Sequence, residues 1–203
     1  MAYNFFVHNN MTFGKDAADA LPGIIEKLGI KKIMVVYDPG VKGAGIADKV
    51  LAQLDKVEGL ELTQFGDVEP NPSNELIEKM YAIAAEAGVE GFVALGGGSS
   101  IDATKAVNVL MTNPGPIGQY GGIGLVKNAV LPLIAIPTTA GTSSEITNVS
   151  ALTDTVKVVK YVVIDDKLVP SHVICDPEFT RTVPGFVTAA TGMDAITHAV
   201  ESY

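Results

Sequence analysis

"GFVALGGGSSID", residues 91–102, is a short apolar run that breaks into three glycines and two serines. Such runs suit a strand buried on both faces of a parallel sheet. Beyond it, Ile101, Ala103, Ala106, Val107 and Leu110 recur at helical spacing and predict a helix over 100–111. Strand, glycine turn and helix form a recurring phosphate-binding arrangement. Free amides at the helix start attract an anion, and glycine removes the Cβ that would block its approach. A plainer reading is a tight turn in which Ser99 caps the helix and Asp102 completes a capping-box-like pair. Three consecutive glycines exceed what such a turn needs. The run is not the G-x-G-x-x-G fingerprint, and the acidic residue expected about twenty positions later is missing.

Outward from this turn, strand-like and helix-like segments alternate. Strands are expected at 4–9, 32–38, 60–65, 131–137, 160–165 and 172–176 and in 91–100 ahead of its glycine loop, and helices at 15–28, 45–56, 73–87 and 100–111. This alternation predicts an α/β fold, a Rossmann-like, mostly parallel sheet with helices on both faces. After "PEFTRTVPGF" (177–186) the pattern turns purely helical, so the expected division is 1–180 for the α/β domain and 181–203 for the start of another.

The composition agrees. Of 203 residues, 47% are apolar and 18% charged, enough for a packed core. The net charge of -9 disfavours nucleic acid. No apolar run approaches a membrane span, and the first residues lack a basic-then-apolar leader pattern, so a cytoplasmic location is expected. The single Cys175 rules out an internal disulfide and a Cys-rich zinc site and reads as a small core residue.

Three further places carry polar groups suited to chemistry. Asp38 follows an apolar strand, where a carboxylate can accept hydrogen bonds from both ribose hydroxyls of an adenosine and repel a 2′-phosphate. "YDPG" also reads as a plain turn. "PTTAGTSSE" (137–145) offers hydroxyls at Thr138, Thr139, Thr142, Ser143 and Ser144 to a ribose or pyrophosphate. It equally reads as a loop with a helix cap. In "TGMDAITHAVESY" (191–203), a helical projection puts Asp194, His198 and Glu201 in one arc, with Ile196, Ala199, Val200 and Tyr203 opposite. An Asp–His pair four residues apart offers an oxygen and a nitrogen to a cation such as Fe²⁺ or Zn²⁺. The competing reading is the polar face of an amphipathic helix. His8 and His172, the other histidines, sit in strand-like segments and read as structural.

Taken in order, "YDPG", "EPNPSNE", "GGGSSIDATKA", "PTTAGTSSEIT" and "TGMDAITHAVESY" resemble the iron-containing (group III) alcohol dehydrogenases, a family that includes lactaldehyde reductase and 1,3-propanediol dehydrogenase. The resemblance implies NAD(H) as cofactor, with Asp38 at the adenosine ribose and Asn71 and Lys160 in contact with the cofactor. It implies Gly97, Gly98 and Ser99 at the pyrophosphate, and Thr138, Thr139 and Thr142 near the pyrophosphate and nicotinamide ribose. It makes Asp194 and His198 the first two of four ligands to Fe²⁺, with Zn²⁺ as an alternative. Ser143 stands where many members have glycine, so a left-handed backbone there would strain the loop. Members continue past this length into an all-helical domain that supplies two histidine ligands and much of the substrate pocket. The expectation is therefore the cofactor-binding half of a dehydrogenase for small primary alcohols, diols or aldehydes, inactive as this chain alone and homodimeric in the intact enzyme. Two readings compete with it: an inactive NAD-binding unit, and a polyol dehydrogenase, metal-free reductase or lyase on the same architecture.

Overall fold

The computed structural model describes residues 9–203. The strands are β1 (Asn10–Phe13), β2 (Lys32–Val36), β3 (Glu61–Phe65), β4 (Gly91–Gly96), β5 (Gly122–Ile123), β6 (Leu133–Pro137), β7 (Val149–Asp154), β8 (Val159–Ile164) and β9 (His172–Cys175). The helices are α1 (Leu21–Leu28), α2 (Pro39–Gly43), α3 (Ile46–Leu54), α4 (Asn74–Ala87), α5 (Gly98–Thr112) and α6 (Gly185–Glu201). Six strands form a wholly parallel sheet in the order β1-β9-β6-β4-β2-β3. A smaller sheet, β5-β8-β7, contains an antiparallel β7–β8 pair.

The apolar strands bury both faces because alternate side chains point to opposite sides. Met34, Val36, Phe92, Ala94, Leu133 and Ala135 join the core under α4 and α5. Ile33, Val35, Val93, Leu95, Ile134 and Ile136 join the core under α1 and α3. The Rossmann-like, mostly parallel sheet read from the sequence is thus the observed fold.

Several local readings need correction. The strand expected at 4–9 falls outside the described residues except for Asn9, which is a bend; the first described strand is β1. The helix expected at 15–28 is α-helical from Leu21, with a 3-10 turn at Ala17–Ala20 before it. Pro22 explains the break, since proline is favoured in a first helical turn and cannot donate deeper in a helix. Strand β7 and short helix α2 have no counterpart in the sequence reading. Cys175 is half-buried, not fully enclosed. On α6 no residue is buried, so the stripe opposite Asp194 and His198 is not core: Ile196 is 57% and Val200 70% exposed. No helix among the described residues is long and apolar enough to cross a membrane.

Candidate functional site

The chain runs from β2 to β3 on one side, then crosses back to β4 on the other side of β2. In open parallel sheets, ligands bind at the carboxyl ends of strands where the order reverses in this way. Asp38 follows β2, Gly97–Ser99 follow β4, and Thr138, Thr139 and Thr142 follow β6. All seven line one cleft of about 800 Å³. The sheet therefore gathers residues separated by up to a hundred positions, as the sequence reading required.

The turn after β4 is built for close approach. A Cβ on Gly97 would lie 3.2 Å from Thr139 Oγ1, and one on Gly98 would lie 3.1 Å from Thr142 Oγ1 and 3.2 Å from Ser144 Oγ. These glycines let the hydroxyl loop stand directly against the start of α5. Gly97 is the residue before α5, and no side chain accepts a hydrogen bond from the first-turn amides. Ser99 lies inside the helix and its Oγ accepts instead from the Asn71 amide at 3.4 Å. The capping-box reading of Ser99 and Asp102 therefore fails. The first-turn amides face the cleft uncapped, a donor set that suits an anion.

Asp38 bears out the turn reading and keeps acceptor capacity for the ribose one. It caps α2, its Oδ1 accepting from the Val41 amide at 3.0 Å. Its Oδ2 accepts from Ser100 Oγ at 3.4 Å, leaving further acceptor capacity at the cleft edge. Asn71 has a left-handed backbone (φ 56), and its Oδ1 accepts from Lys160 Nζ at 2.7 Å. Lys160 reaches across from β8 but lines neither cleft; it is joined to the site through Asn71. Ser143 has φ 54, the left-handed conformation that strains a residue other than glycine.

A second cleft, about 420 Å³, is lined by Asp194 and His198 with Asn71, Gly98, Ser99 and Thr142 among others. Asp194 Oδ1 and His198 Nε2 lie 3.7 Å apart on the cleft-facing side of α6. The helix docks closely: a Cβ on Gly141 would collide with the Thr191 backbone. The Asp–His pair fits a divalent cation in kind, with one carboxylate and one imidazole, but not in number. No cluster of three or more metal-ligating side chains occurs among the described residues.

The sequence reading missed the brace behind the turn. Lys105 is 1% exposed, and its Nζ donates to the carbonyls of Ser144 (2.6 Å), Thr147 (2.7 Å) and Val149 (2.9 Å). Burial pushes its ammonium down to about 8, against the pull of Asp102 and Glu145. Asp102 Oδ2 accepts from the Ala151 amide at 3.0 Å, while Oδ1 has no partner. Burial raises the Asp102 carboxyl, opposed chiefly by that amide. The available signal was two charged residues inside an otherwise apolar helical segment.

Fold and site together define a Rossmann-like α/β unit with an open glycine turn at its switch point. The profile described as iron-containing alcohol dehydrogenase matches residues 9–177, and the chain belongs to that family. It is 34% identical over 200 residues to the NAD-dependent methanol dehydrogenase of Bacillus methanolicus, covering 98% of this chain and 52% of that protein. The structure of a 1,3-propanediol oxidoreductase superposes with a TM-score of 0.93 at 37% identity, covering 98% of this chain and 52% of that one. The sulfoacetaldehyde reductase of Bifidobacterium kashiwanohense, solved in complex with NAD⁺, gives 0.90 at 34% identity, covering 100% and 54%. The chain thus spans about half the length of the curated relatives it matches. Asp194 and His198 lie beyond the matched residues 9–177.

Proposed function

We propose that the chain is the cofactor-binding part of an NAD(H)- and divalent-metal-dependent alcohol dehydrogenase for small primary alcohols, diols or aldehydes. The observation that carries this reading is the shared wall: Gly98, Ser99 and Thr142 line both the glycine-turn cleft and the Asp194–His198 cleft. A ligand filling the first cleft therefore abuts the second. The naming of one relative as NAD-dependent, and the solution of another with NAD⁺, favour NAD as the ligand.

In this reading the first-turn amides at Gly97, Gly98 and Ser99 bind the pyrophosphate. Asp38 accepts from the adenosine ribose hydroxyls and repels a 2′-phosphate. Thr138, Thr139 and Thr142 donate hydroxyls along the cleft, and the Asn71–Lys160 pair borders it. Asp194 and His198 hold Fe²⁺, or Zn²⁺, jointly with further donors. When bound, the nicotinamide exchanges a hydride with the substrate carbon and the cation polarises the substrate oxygen. The chain's own contribution is to bind and orient these groups. The functional division is 1–180 for the cofactor and 181–203 for the metal. The intact protein is a homodimer in this reading; among the described residues β1, one of the two edge strands, carries exposed Met11 and Phe13 and is a strand suited to pairing.

A second reading has its own support. Two metal donors from one helix fall short of a full site, which favours a unit that binds NAD(H) without turnover.

Fluorescence titration with NADH and NADPH tests the cofactor assignment. The wild type should prefer NADH, and Asp38→Ser should reduce that preference about tenfold, roughly the effect of one charged contact. Serine keeps an oxygen to cap α2 and removes the carboxylate with its charge and second acceptor, so an unchanged ratio removes the ribose role. In a Co²⁺ titration, Asp194→Ala and His198→Ala should each lose binding with the thermal midpoint unchanged. Co²⁺ affinity equal to that of the wild type in both variants would end the metal assignment.

A further inference from the structure

Lys105 lies two turns along α5 from Gly98, and none of the cofactor or metal contacts above involves it. Its ammonium closes a ring of main-chain acceptors at Ser144, Thr147 and Val149, and also donates to Thr147 Oγ1 at 3.2 Å. Every one of those acceptors belongs to a single segment, from Ser144 in the hydroxyl loop to Val149 at the start of β7. Asp102, one turn earlier on the same helix, fastens the next residues: its Oδ2 accepts from the Ala151 amide and its carbonyl from Ser150 Oγ at 2.8 Å. The segment so fastened begins with a strained turn. Ser143, at φ 54, sits between Thr142 and Ser144, and a non-glycine residue holds that conformation only where its surroundings impose it. The carbonyl immediately after it is the one Lys105 grips most tightly, at 2.6 Å. The hydroxyls on either side of it are those standing within 3.2 Å of where a Gly98 Cβ would be.

We infer that Lys105 is a positioning residue: through the Ser144, Thr147 and Val149 carbonyls it holds the left-handed turn at Ser143. The turn then keeps the Thr142 and Ser144 hydroxyls against the start of α5, where a dinucleotide pyrophosphate binds. This rests on the nucleotide reading of the same cleft and adds to it the part that sets the loop's geometry. An ammonium is suited to the task because its three N–H groups reach three carbonyls at once, and a buried carbonyl left without a donor is costly. The charged groups facing Lys105 are Asp102 on its own helix and Glu145 on the loop.

The test is calorimetric titration of the chain with ADP and with adenosine, for the wild type, Lys105→Gln and Lys105→Met. Adenosine carries no phosphate and does not call on the loop hydroxyls. ADP affinity should fall about threefold in Lys105→Gln, which retains two N–H donors, and at least tenfold in Lys105→Met, with adenosine affinity unchanged in both. Equal ADP losses in the two variants would assign the effect to the lost charge, since both are neutral, and would overturn the positioning role. Parallel loss of ADP and adenosine, or no loss of either, would overturn it as well. Where Lys105→Met does not fold, Lys105→Gln decides on the same criterion of ADP loss without adenosine loss. Hydrogen exchange on the wild type then decides between geometry and charge: ADP should slow the amides of 142–149 together with those of 98–101, and protection confined to 98–101 counts against the role. A wild type that binds neither ligand would overturn the nucleotide reading itself, an outcome distinct from a wild type that binds ADP and variants that match it.

Discussion

Helices α5 and α6 each present functional side chains to the clefts, yet they are held by opposite means. In α5, every residue from Ser100 to Leu110 is buried, including Asp102, Lys105 and Asn108. Its polar groups are tied to distant backbone: Lys105 to the Ser144–Val149 segment, and Asn108 to Leu131 by a pair of bonds at 2.8 and 3.0 Å. In α6 nothing is buried, and Phe186, Met193, Ile196 and Val200 are exposed. A buried helix is held by packing on all sides, and the glycine turn leads directly into one. An exposed helix is held only along its line of contact, here at Gly141 and Thr191. In the proposed function the anion site would thus rest against the core, while Asp194 and His198 would depend on the docking of α6.

Substitutions of matched chemistry in the two helices should separate most clearly in stability. Ile101→Ala, at a fully buried position, should cost about 2–5 kcal/mol in urea unfolding, whereas Ile196→Ala should stay within about 0.5 kcal/mol. Comparable costs would mean that α6 is packed in solution.

The next effect concerns pH. Lys105 falls from its ordinary value of 10.5 to about 8 on folding. Between those values the unfolded chain holds a proton that the folded chain has released, so stability rises with pH across the window and is lost as pH falls through about 8. Relative to Lys105→Met, the wild type should gain about 3 kcal/mol of unfolding free energy from pH 8 to 10.5. A flat difference would mean that the three carbonyls replace water fully around the ammonium.

A smaller, more local change is expected at the contact holding α6. Gly141→Ala should cost about 1–3 kcal/mol by overpacking against Thr191. Hydrogen exchange should show the loss as faster exchange in 185–201, with 98–112 unchanged. Equal acceleration in both helices would remove the distinction between them.

Much of this was legible in the sequence because it depends on near neighbours. Strands β2, β4 and β6 announce themselves as apolar runs, and α4 by its stripe of Leu76, Ile77, Met80 and Ala84. Strand β7 and its pairing with β8 did not. "VSALTD" is only partly apolar, and the turn that follows has Asp154, whose Oδ1 accepts from the Val156 and Lys157 amides, but no glycine: the left-handed position is taken by Val158, φ 55. The site divided in the same way. Asp38, the glycine turn and the threonine loop could be named because each follows an apolar strand. Lys105 could not, because its partners lie 39 to 44 residues away and give its own helix no periodicity to betray them.

By itself the sequence determined the parallel α/β sheet and the glycine turn at the end of β4. Each follows from local burial, spacing or backbone sterics. Only the tertiary structure decided that Asp102 braces β7 instead of capping α5, that Lys160 meets the site through Asn71, and that the apolar side of α6 is exposed. Those outcomes depend on which distant segments meet, and a buried polar group takes whichever partner the fold brings within reach.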